Sequence, residues 1–340
     1  MKALSLATAV ISTAMLLPPP VLAGETVASQ YRLNFDRDVC TAMDMAARFL
    51  VDTSRPAGTH GGPAWPWQVD EGPRADNVAG LAALALLEAY RTSGNPAYLA
   101  VARRHGDNLV RASSRWSADN LPYKADLELL AQLQRQTGKE IYGRTARLGM
   151  KAILSRSPTG ADEVRRIWRG RQASAPALLG FDVALAIRAA QVNGYRSYAY
   201  QLADAVLASL QQWYRPDRDT RFSLVSAASL AEALRRLDAG HYRGIGDRFR
   251  AALLRHQQVN GSWQANETQP SAYAALALAA GTPREREAFR RGIEWLKSTM
   301  LRRGGFALYN DYMPEPFVGR IISEVHAEAL QALSLACRLR

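Results

Sequence analysis

Acidic side chains recur in two Gly- and Pro-rich stretches of this 340-residue sequence, near residues 70 and 315. Hydrolysis of a glycosidic bond uses two carboxyl groups that flank the bond, about 5–5.5 Å apart for retention or about 6.5–9.5 Å for inversion. One carboxylate from each stretch could supply such a pair. The catalytic candidates are therefore Asp70, Glu71, Asp76, Asp311, Glu315 and Glu324.

Aromatic and polar side chains accompany these carboxylates and could bind a sugar chain. The candidates for substrate binding are Trp65, Trp67, Tyr123, Asp126, Trp263, Gln264, Tyr309, Tyr312, Arg320 and His326. Elimination at a uronate would instead need a base and an arginine that holds the carboxylate, and Arg171, Arg320 and His326 are available. Calcium is expected only for elimination; otherwise no cofactor or metal is expected, because His326 has no second histidine four residues away.

Several of these residues also have structural explanations, which the sequence leaves open. Asp76 and Asp126 stand at predicted helix starts, where a carboxylate satisfies free N–H groups and the helix dipole. Trp263 follows Gly261-Ser262 and could be a wedge between neighbouring repeats rather than a surface for sugar rings. His326 could be a core or rim histidine.

The elements that must position these residues are helices, because apolar residues recur at i, i+3, i+4 and i+7 and are separated by Gly, Pro and Asn. The periodicity predicts a first helix over 38–51 and a last one over 320–338. Between them it predicts five helix pairs: 76–92 with 96–112, 122–137 with 140–155, 177–193 with 196–213, 223–238 with 242–257, and 270–280 with 284–300.

The first helix of each pair is small and apolar, and the second is amphipathic and rich in charge. A helix that is apolar on most sides is buried on most sides, so the pattern indicates an inner helix followed by an outer one. Six inner and six outer helices predict an all-α fold, an (α/α)6 barrel or toroid over residues 24–340. The alternative is an open solenoid, but the last helix lacks the polar face of a capping repeat.

Connection lengths separate the two rims of the predicted toroid. Turns from an inner to an outer helix are short, whereas connections from an outer to an inner helix are long and carry most of the candidate residues. Long connections on one face of a repeat array usually form its binding face. The site is expected at the rim where the inner helices begin.

Two cysteines, Cys40 and Cys337, lie in the first and last predicted helices. These helices are neighbours in a closed ring and distant in an open array. An exported chain can oxidise such a pair, so a Cys40–Cys337 disulfide that closes the ring is predicted. Two unrelated buried thiols are the alternative.

The N-terminal segment has the build of a secretory signal peptide: Lys2, an apolar stretch, and small residues up to Ala23. Cleavage after Ala23 and export to the periplasm or medium are expected. No later stretch approaches the ~20 apolar residues of a membrane span. The formal charge of +12 comes almost entirely from arginine and accompanies no nucleic-acid-binding motif, so no nucleic-acid partner is expected.

Two resemblances follow from the repeats. The stretch GSWQ…SAYAALALAAG…AFRRGIEWL…GGF resembles the repeat of terpenoid-cyclase and protein-prenyltransferase toroids, but the acidic run and the zinc ligands of those enzymes are missing. The stretch ALLEAYRTSGNPAYLAVARRHGDNLV resembles the unit of secreted six-hairpin glycosidases and toroidal polysaccharide lyases. The second resemblance implies a carbohydrate-active toroid.

Together these observations lead to the hypothesis of an exported toroid that binds a polysaccharide or oligosaccharide, with an anionic glycan as one option. One hypothesis is that the protein cleaves this glycan by hydrolysis or elimination through the rim carboxylates. A non-catalytic toroid that binds a component of the cell envelope, or an isoprenoid-handling relative of the cyclases, is the alternative.

Overall fold

A computed structural model of the chain describes residues 38–56, 63–69, 76–264, 266–307 and 319–340. The described residues form fourteen α-helices and two short strands, β1 (Arg55–Pro56) and β2 (Pro63–Ala64), which pair antiparallel. The six inner helices are α2 (Asp76–Ser93), α4 (Lys124–Thr137), α7 (Leu179–Val192), α10 (Thr220–Asp238), α12 (Thr268–Leu278) and α14 (Ser323–Arg338). The six outer helices are α1 (Val39–Asp52), α3 (Pro96–Ala112), α5 (Glu140–Arg156), α8 (Arg196–Ala208), α11 (Arg243–His256) and α13 (Pro283–Thr299).

The inner helices form a closed ring. Each packs against the next in chain order, and α14 packs against both α2 and α1. A disulfide joins Cys40 in α1 to Cys337 in α14, with Cα atoms 5.0 Å apart. The predicted (α/α)6 toroid and the predicted disulfide are both confirmed, and the open solenoid is excluded.

Small residues let the inner helices approach one another closely. Gly80 in α2 is one such position, because a Cβ there would lie 2.5 Å from an Oδ1 atom of Asp126 in α4. Such a contact is shorter than any real Cβ contact, so a side chain at this position would push the two helices apart. The alanine-rich composition of the inner helices therefore has a packing cause.

Three tryptophans fill equivalent wedges beneath the long connections. All three are almost fully buried, and each indole N–H donates to a main-chain oxygen in the last turn of the preceding outer helix: Trp65 to Leu50 (2.8 Å), Trp213 to Val206 (3.1 Å) and Trp263 to Leu253 (2.7 Å). The indoles thus supply hydrogen-bond donors at the C-terminal ends of these helices, where main-chain donors run out. Trp65 and Trp263 offer no face to a ligand, and the expectation that they bind substrate is corrected.

Helix boundaries agree with the periodicity to within about three residues, except that the helix predicted over 196–213 ends at Ala208 and that one longer helix was not predicted. The connection after α5 contains α6 (Gly160–Arg171), which packs against α7 and α8 and was expected to be a loop. A capping box starts it, with the Thr159 hydroxyl and the Asp162 carboxylate each accepting a main-chain N–H of the other residue. A four-residue helix, α9 (Leu210–Trp213), follows α8.

Among the described residues, no helix combines the length and the apolar character that a membrane span requires.

Candidate active site

Polar side chains converge at the rim where the inner helices begin. Tyr123 directly precedes α4, Asp182 lies in the first turn of α7, and Glu324 lies in the first turn of α14. The charges of Asp182, Arg171 and Arg221 act on the Glu324 carboxyl, so these groups share one site. This cluster at the helix starts is the candidate active site.

Asp182 is held by an arginine from the extra helix. Arg171, the last residue of α6, donates to both carboxylate oxygens of Asp182, through Nε at 2.6 Å and through Nη2 at 3.1 Å. Such a bidentate pair fixes the orientation of both groups. The pair and Tyr123 line a cavity of about 320 Å³ at the rim.

Glu324 stands beside this pair without a partner of its own. Its side chain is half-buried, and it makes no hydrogen bond or ion pair with any described residue. Burial, assisted by the negative charge of Asp182, raises its pKa from 4.5 to about 7 against the opposing charges of Arg171 and Arg221. Near neutral pH this carboxyl carries a proton that it can donate.

A second carboxyl lies one helical turn further into the barrel. Glu328 is buried, and its Oε1 accepts from the Tyr273 hydroxyl (2.7 Å) and from the Gln269 amide (3.3 Å). Burial, reinforced by the charge of Glu324, raises the pKa of Glu328 well above its ordinary value. Burial therefore favours the protonated form of Glu328.

Two further groups complete the site. Burial, together with the charges of Glu324 and Asp182, raises the pKa of Tyr123 well above 10, so its phenol is a hydrogen-bond donor and not a base. Arg221 at the start of α10 pairs with the buried Glu267 at 2.7 Å, in front of α12.

Six of the sequence candidates, Asp70, Glu71, Tyr309, Asp311, Tyr312 and Glu315, lie outside the described residues. Asp76 is the first residue of α2, and only its backbone is described. Of the six catalytic candidates, Glu324 alone has a described side chain, and the site is built around it.

Asp126 points away from the cavity. It is buried, and its Oδ1 lies 3.2 Å from Nε2 of His105 in the outer helix α3. This contact joins α4 to α3, so the expectation that Asp126 binds substrate is corrected to a packing role.

His326 also serves the fold. Its Nδ1 accepts the main-chain N–H of Phe306 at 3.3 Å, which leaves the proton on Nε2 to donate to the oxygen of Ala46 at 2.9 Å. Burial lowers its pKa to about 4, so the ring is neutral. One ring nitrogen ties α14 to α1 and the other binds the main chain at Phe306, so the expectation of substrate binding is corrected.

Three other binding candidates are partly exposed. Trp67 packs against Ile322 and Val325, and its main-chain oxygen accepts the Ser323 N–H at 2.9 Å, next to Glu324. Gln264 and Arg320 are half-buried, with Gln264 in a left-handed conformation (φ 45°). Trp67 therefore lies at the start of the helix that carries Glu324.

The role of four site residues was missed or undervalued in the sequence: Asp182, Arg171, Arg221 and Glu328. A signal for Glu328 was present. Glu324 and Glu328 stand four residues apart on an inner helix, hence on one face, and a charged pair is out of place in a helix buried on most sides. No three His, Cys, Asp or Glu side chains of the described residues are grouped as metal ligands.

No family profile matches this chain, and no curated protein matches it in sequence. Solved structures do match its fold. A glycosyl hydrolase of family 88 from Bacteroides vulgatus superposes with a TM-score of 0.62 at 12% identity, covering 89% of this chain and 100% of that one. This chain adopts an α/α toroid fold of the six-hairpin glycosidase type.

Two further structures support that assignment. A polysaccharide lyase gives a TM-score of 0.60 at 14% identity, covering 88% of this chain and 97% of that one. An alpha-1,6-mannanase from Salegentibacter sp. HEL1_6 gives 0.58 at 10% identity, covering 89% and 100%. The resemblance of the repeat to carbohydrate-active toroids is thus confirmed at the level of the fold.

Proposed function

We propose that this protein is a glycoside hydrolase that cleaves a polysaccharide at the rim where its inner helices begin. The observation that carries the proposal is the half-buried Glu324 carboxyl, which has no described partner and feels the charges of the Asp182–Arg171 pair. Proteins with a similar toroid fold are, by their names, a glycosyl hydrolase, a polysaccharide lyase and an alpha-1,6-mannanase. The proposed chemistry uses side chains alone.

In the proposed reaction Glu324 donates its proton to the glycosidic oxygen as the bond to the leaving sugar breaks. Asp182 supplies the second carboxylate, which stabilises positive charge at the sugar or activates water, and Arg171 holds it in place. A proton donor and an ionised carboxylate need different environments, and the two carboxyls have them: Asp182 faces a guanidinium, whereas Glu324 has no described partner. Tyr123 is placed to donate a hydrogen bond to the substrate.

Hydrolysis is favoured over elimination by the state of the available bases. The raised pKa of Tyr123 keeps its phenol protonated, and both nitrogens of His326 are committed to the main chain. Arg171 and Arg221, which could hold a uronate carboxylate in an elimination, already pair with Asp182 and Glu267. The site therefore supports a proton donor, which hydrolysis needs, better than a base, which elimination needs.

We also propose that the protein is exported, with its signal peptide removed after Ala23. The disulfide between Cys40 and Cys337 supports this, because such bonds persist in oxidising compartments and are rare in reducing ones.

The test is depolymerisation of a panel of cell-wall and capsular glycans by the wild-type protein, Glu324→Gln and Asp182→Asn. Wild type should release new reducing ends, and Glu324→Gln should lower the rate by about 10²–10⁴-fold. On aryl glycosides of the same sugar, whose phenolate leaves without protonation, Glu324→Gln should keep most of its activity and Asp182→Asn should not.

Glu287→Gln, on the exposed surface of α13, is the matched control and should cleave at the wild-type rate. Products with a double bond in the sugar ring would show elimination and overturn hydrolysis. Binding without turnover on every glycan would favour the non-catalytic envelope toroid instead.

A further inference from the structure

Helix α6 borders three cavities, and the first of them belongs to the proposed active site. The first is the 320 Å³ cavity with Tyr123 and Asp182, the second measures about 280 Å³, and the third about 350 Å³. Arg166 lines the first and the second, and Trp168 lines the third. One short helix thus borders the site and the two neighbouring depressions.

Arginines outnumber acidic residues in both outer cavities, with four arginines and Asp162 in the second and two arginines and Asp219 in the third. We call their exposed or half-exposed arginines the α6 basic strip: Arg156, Arg165, Arg166, Arg169, Arg215 and Arg218. Two of them are neutralised within α6, Arg165 by Asp162 and Arg166 by Glu163. Arg169, Arg215 and Arg218 are exposed and form no ion pair with a described residue. The strip therefore holds positive charge that the described part of the protein does not compensate.

The strip is built on a fixed support. Glu163 is fully buried and accepts from Ser157 (2.9 Å), from Arg166 (2.7 Å) and from Lys124 (3.2 Å). Burial alone would raise the pKa of Glu163, but Arg166 and Lys124 outweigh it and lower the pKa to about 2. Lys124 begins α4 next to Tyr123, so this network locks α6 to the rim of the site.

An aromatic ring lies among these charges. Trp168 is half-buried and lines the third cavity together with Arg215 and Arg218. Sugar rings pack on indole faces, while acidic substituents pair with guanidinium groups. A partly exposed tryptophan between uncompensated arginines fits a sugar chain that carries negative charge.

We propose that the substrate is an anionic polysaccharide and that its acidic sugar units bind to Trp168 and the α6 basic strip, next to the cleaved bond. This inference rests on the proposed function, because it names the substrate class of the same site. The acidic group is a carboxylate or a sulfate, which share the chemistry of pairing with arginine.

The test measures binding of polygalacturonate (carboxylate), dextran sulfate (sulfate) and neutral dextran to Glu324→Gln protein, which holds the glycan without cleaving it. The strip variant adds Arg169→Gln, Arg215→Gln and Arg218→Gln. The control variant adds Arg243→Gln, Arg248→Gln and Arg284→Gln. These substitutions replace three exposed arginines of α11 and α13 and remove the same amount of charge as the strip variant. Titrations are repeated at several salt concentrations.

The strip variant should bind one of the two anionic polymers about tenfold more weakly, with a shallower salt dependence, and the control variant should change less than about twofold. Adding Trp168→Ala should weaken binding of the polymer but not of free sulfate. Equal weakening in the strip and control variants would overturn the proposal, as would tighter binding of a mixed-sequence DNA oligonucleotide than of either glycan.

The two proposals fail in distinguishable ways. Glu324-dependent cleavage of a neutral glycan at the same rate in wild type and in Arg169→Gln/Arg215→Gln/Arg218→Gln would refute the strip and keep the hydrolase. Strip-dependent binding of an anionic glycan with no cleavage by wild type would keep the strip and refute the hydrolase.

Discussion

Glu324 illustrates how the proton of a proposed catalytic acid affects stability. Its folded pKa of about 7 exceeds the unfolded value of 4.5, so folding favours the protonated form. Glu324 therefore lowers the free energy of unfolding least below pH 4.5, and the protein loses stability as the pH rises through 7. The difference between the two pKa values corresponds to at most about 3 kcal/mol, and partial exposure reduces it.

Glu324→Gln should therefore be more stable than wild type at alkaline pH. The amide cannot ionise, so we expect a gain of about 1–3 kcal/mol at pH 8 and almost none at pH 4.5. The measurement is the melting temperature of both proteins across this range, where a gain of about 2–5 °C is expected at pH 8.

Glu287→Gln is the control for this comparison, since Glu287 is exposed on α13. Its melting temperature should follow wild type at both pH values. A Glu324→Gln curve parallel to wild type would contradict the raised pKa. Higher stability with lost activity is the combination expected of a functional residue.

At the scale of elements, Trp263 shows how a buried tryptophan joins two neighbouring outer helices. Trp263 packs beside Gly292 in the outer helix α13. A Cβ at that position would lie 2.8 Å from the indole ring, so the absence of a side chain there makes room for the ring. The ring fills the wedge, and its N–H caps α11 at Leu253.

Two substitutions separate these contributions. Trp263→Ala should lower the free energy of unfolding by about 3–5 kcal/mol because it leaves a cavity. Trp263→Phe keeps most of the ring but leaves the Leu253 carbonyl unpaired, so a smaller loss of about 1–3 kcal/mol is expected. Denaturant titration measures both, and equal losses would show that the hydrogen bond, not the volume, decides.

The fold was largely predictable because the helical spacing of apolar residues is a local property of the sequence. Small apolar inner helices and charged outer helices differ visibly, and that contrast identified twelve helices. Helix α6 was missed although Val164, Ile167 and Trp168 repeat at helical spacing after Thr159-x-x-Asp162. Its many arginines concealed a short apolar stripe in a connection that was expected to be irregular.

The site was less predictable because the direction in which a side chain points is not a local property of the sequence. A buried tryptophan such as Trp65 and a rim aromatic such as Tyr123 look alike in a sequence, and only the packed ring separates them. Asp126 and Asp182 both lie near helix starts, yet Asp126 turns toward His105 and Asp182 toward Arg171. That pairing depends on α6 lying across the rim, which spacing alone does not encode.

At the scale of the whole molecule, the ring is closed by covalent and non-covalent ties between its ends. The disulfide spans a sequence separation of 297 residues, and His326 links α14 to α1 and to Phe306. A cross-link over so long a loop removes many conformations of the unfolded chain.

Removing the disulfide should therefore destabilise the toroid without changing its fold. We expect Cys40→Ser/Cys337→Ser to lose up to about 5 kcal/mol in the chain-entropy account. Guanidinium unfolding followed by circular dichroism compares this variant with wild type, with and without reductant. Reductant should shift wild type toward the variant and leave the variant unchanged; no shift in wild type would contradict a closed, cross-linked ring.

The central claim is that a proton resides on Glu324 near neutral pH, and it can be measured without knowing the substrate. Carbon-13 NMR of the glutamate side-chain carboxyls, with Glu324 assigned from the signal lost in Glu324→Gln, follows its titration directly. The structure predicts a midpoint near pH 7. A midpoint near the ordinary 4.5 would show an ionised carboxylate at the rim and contradict its role as the proton donor.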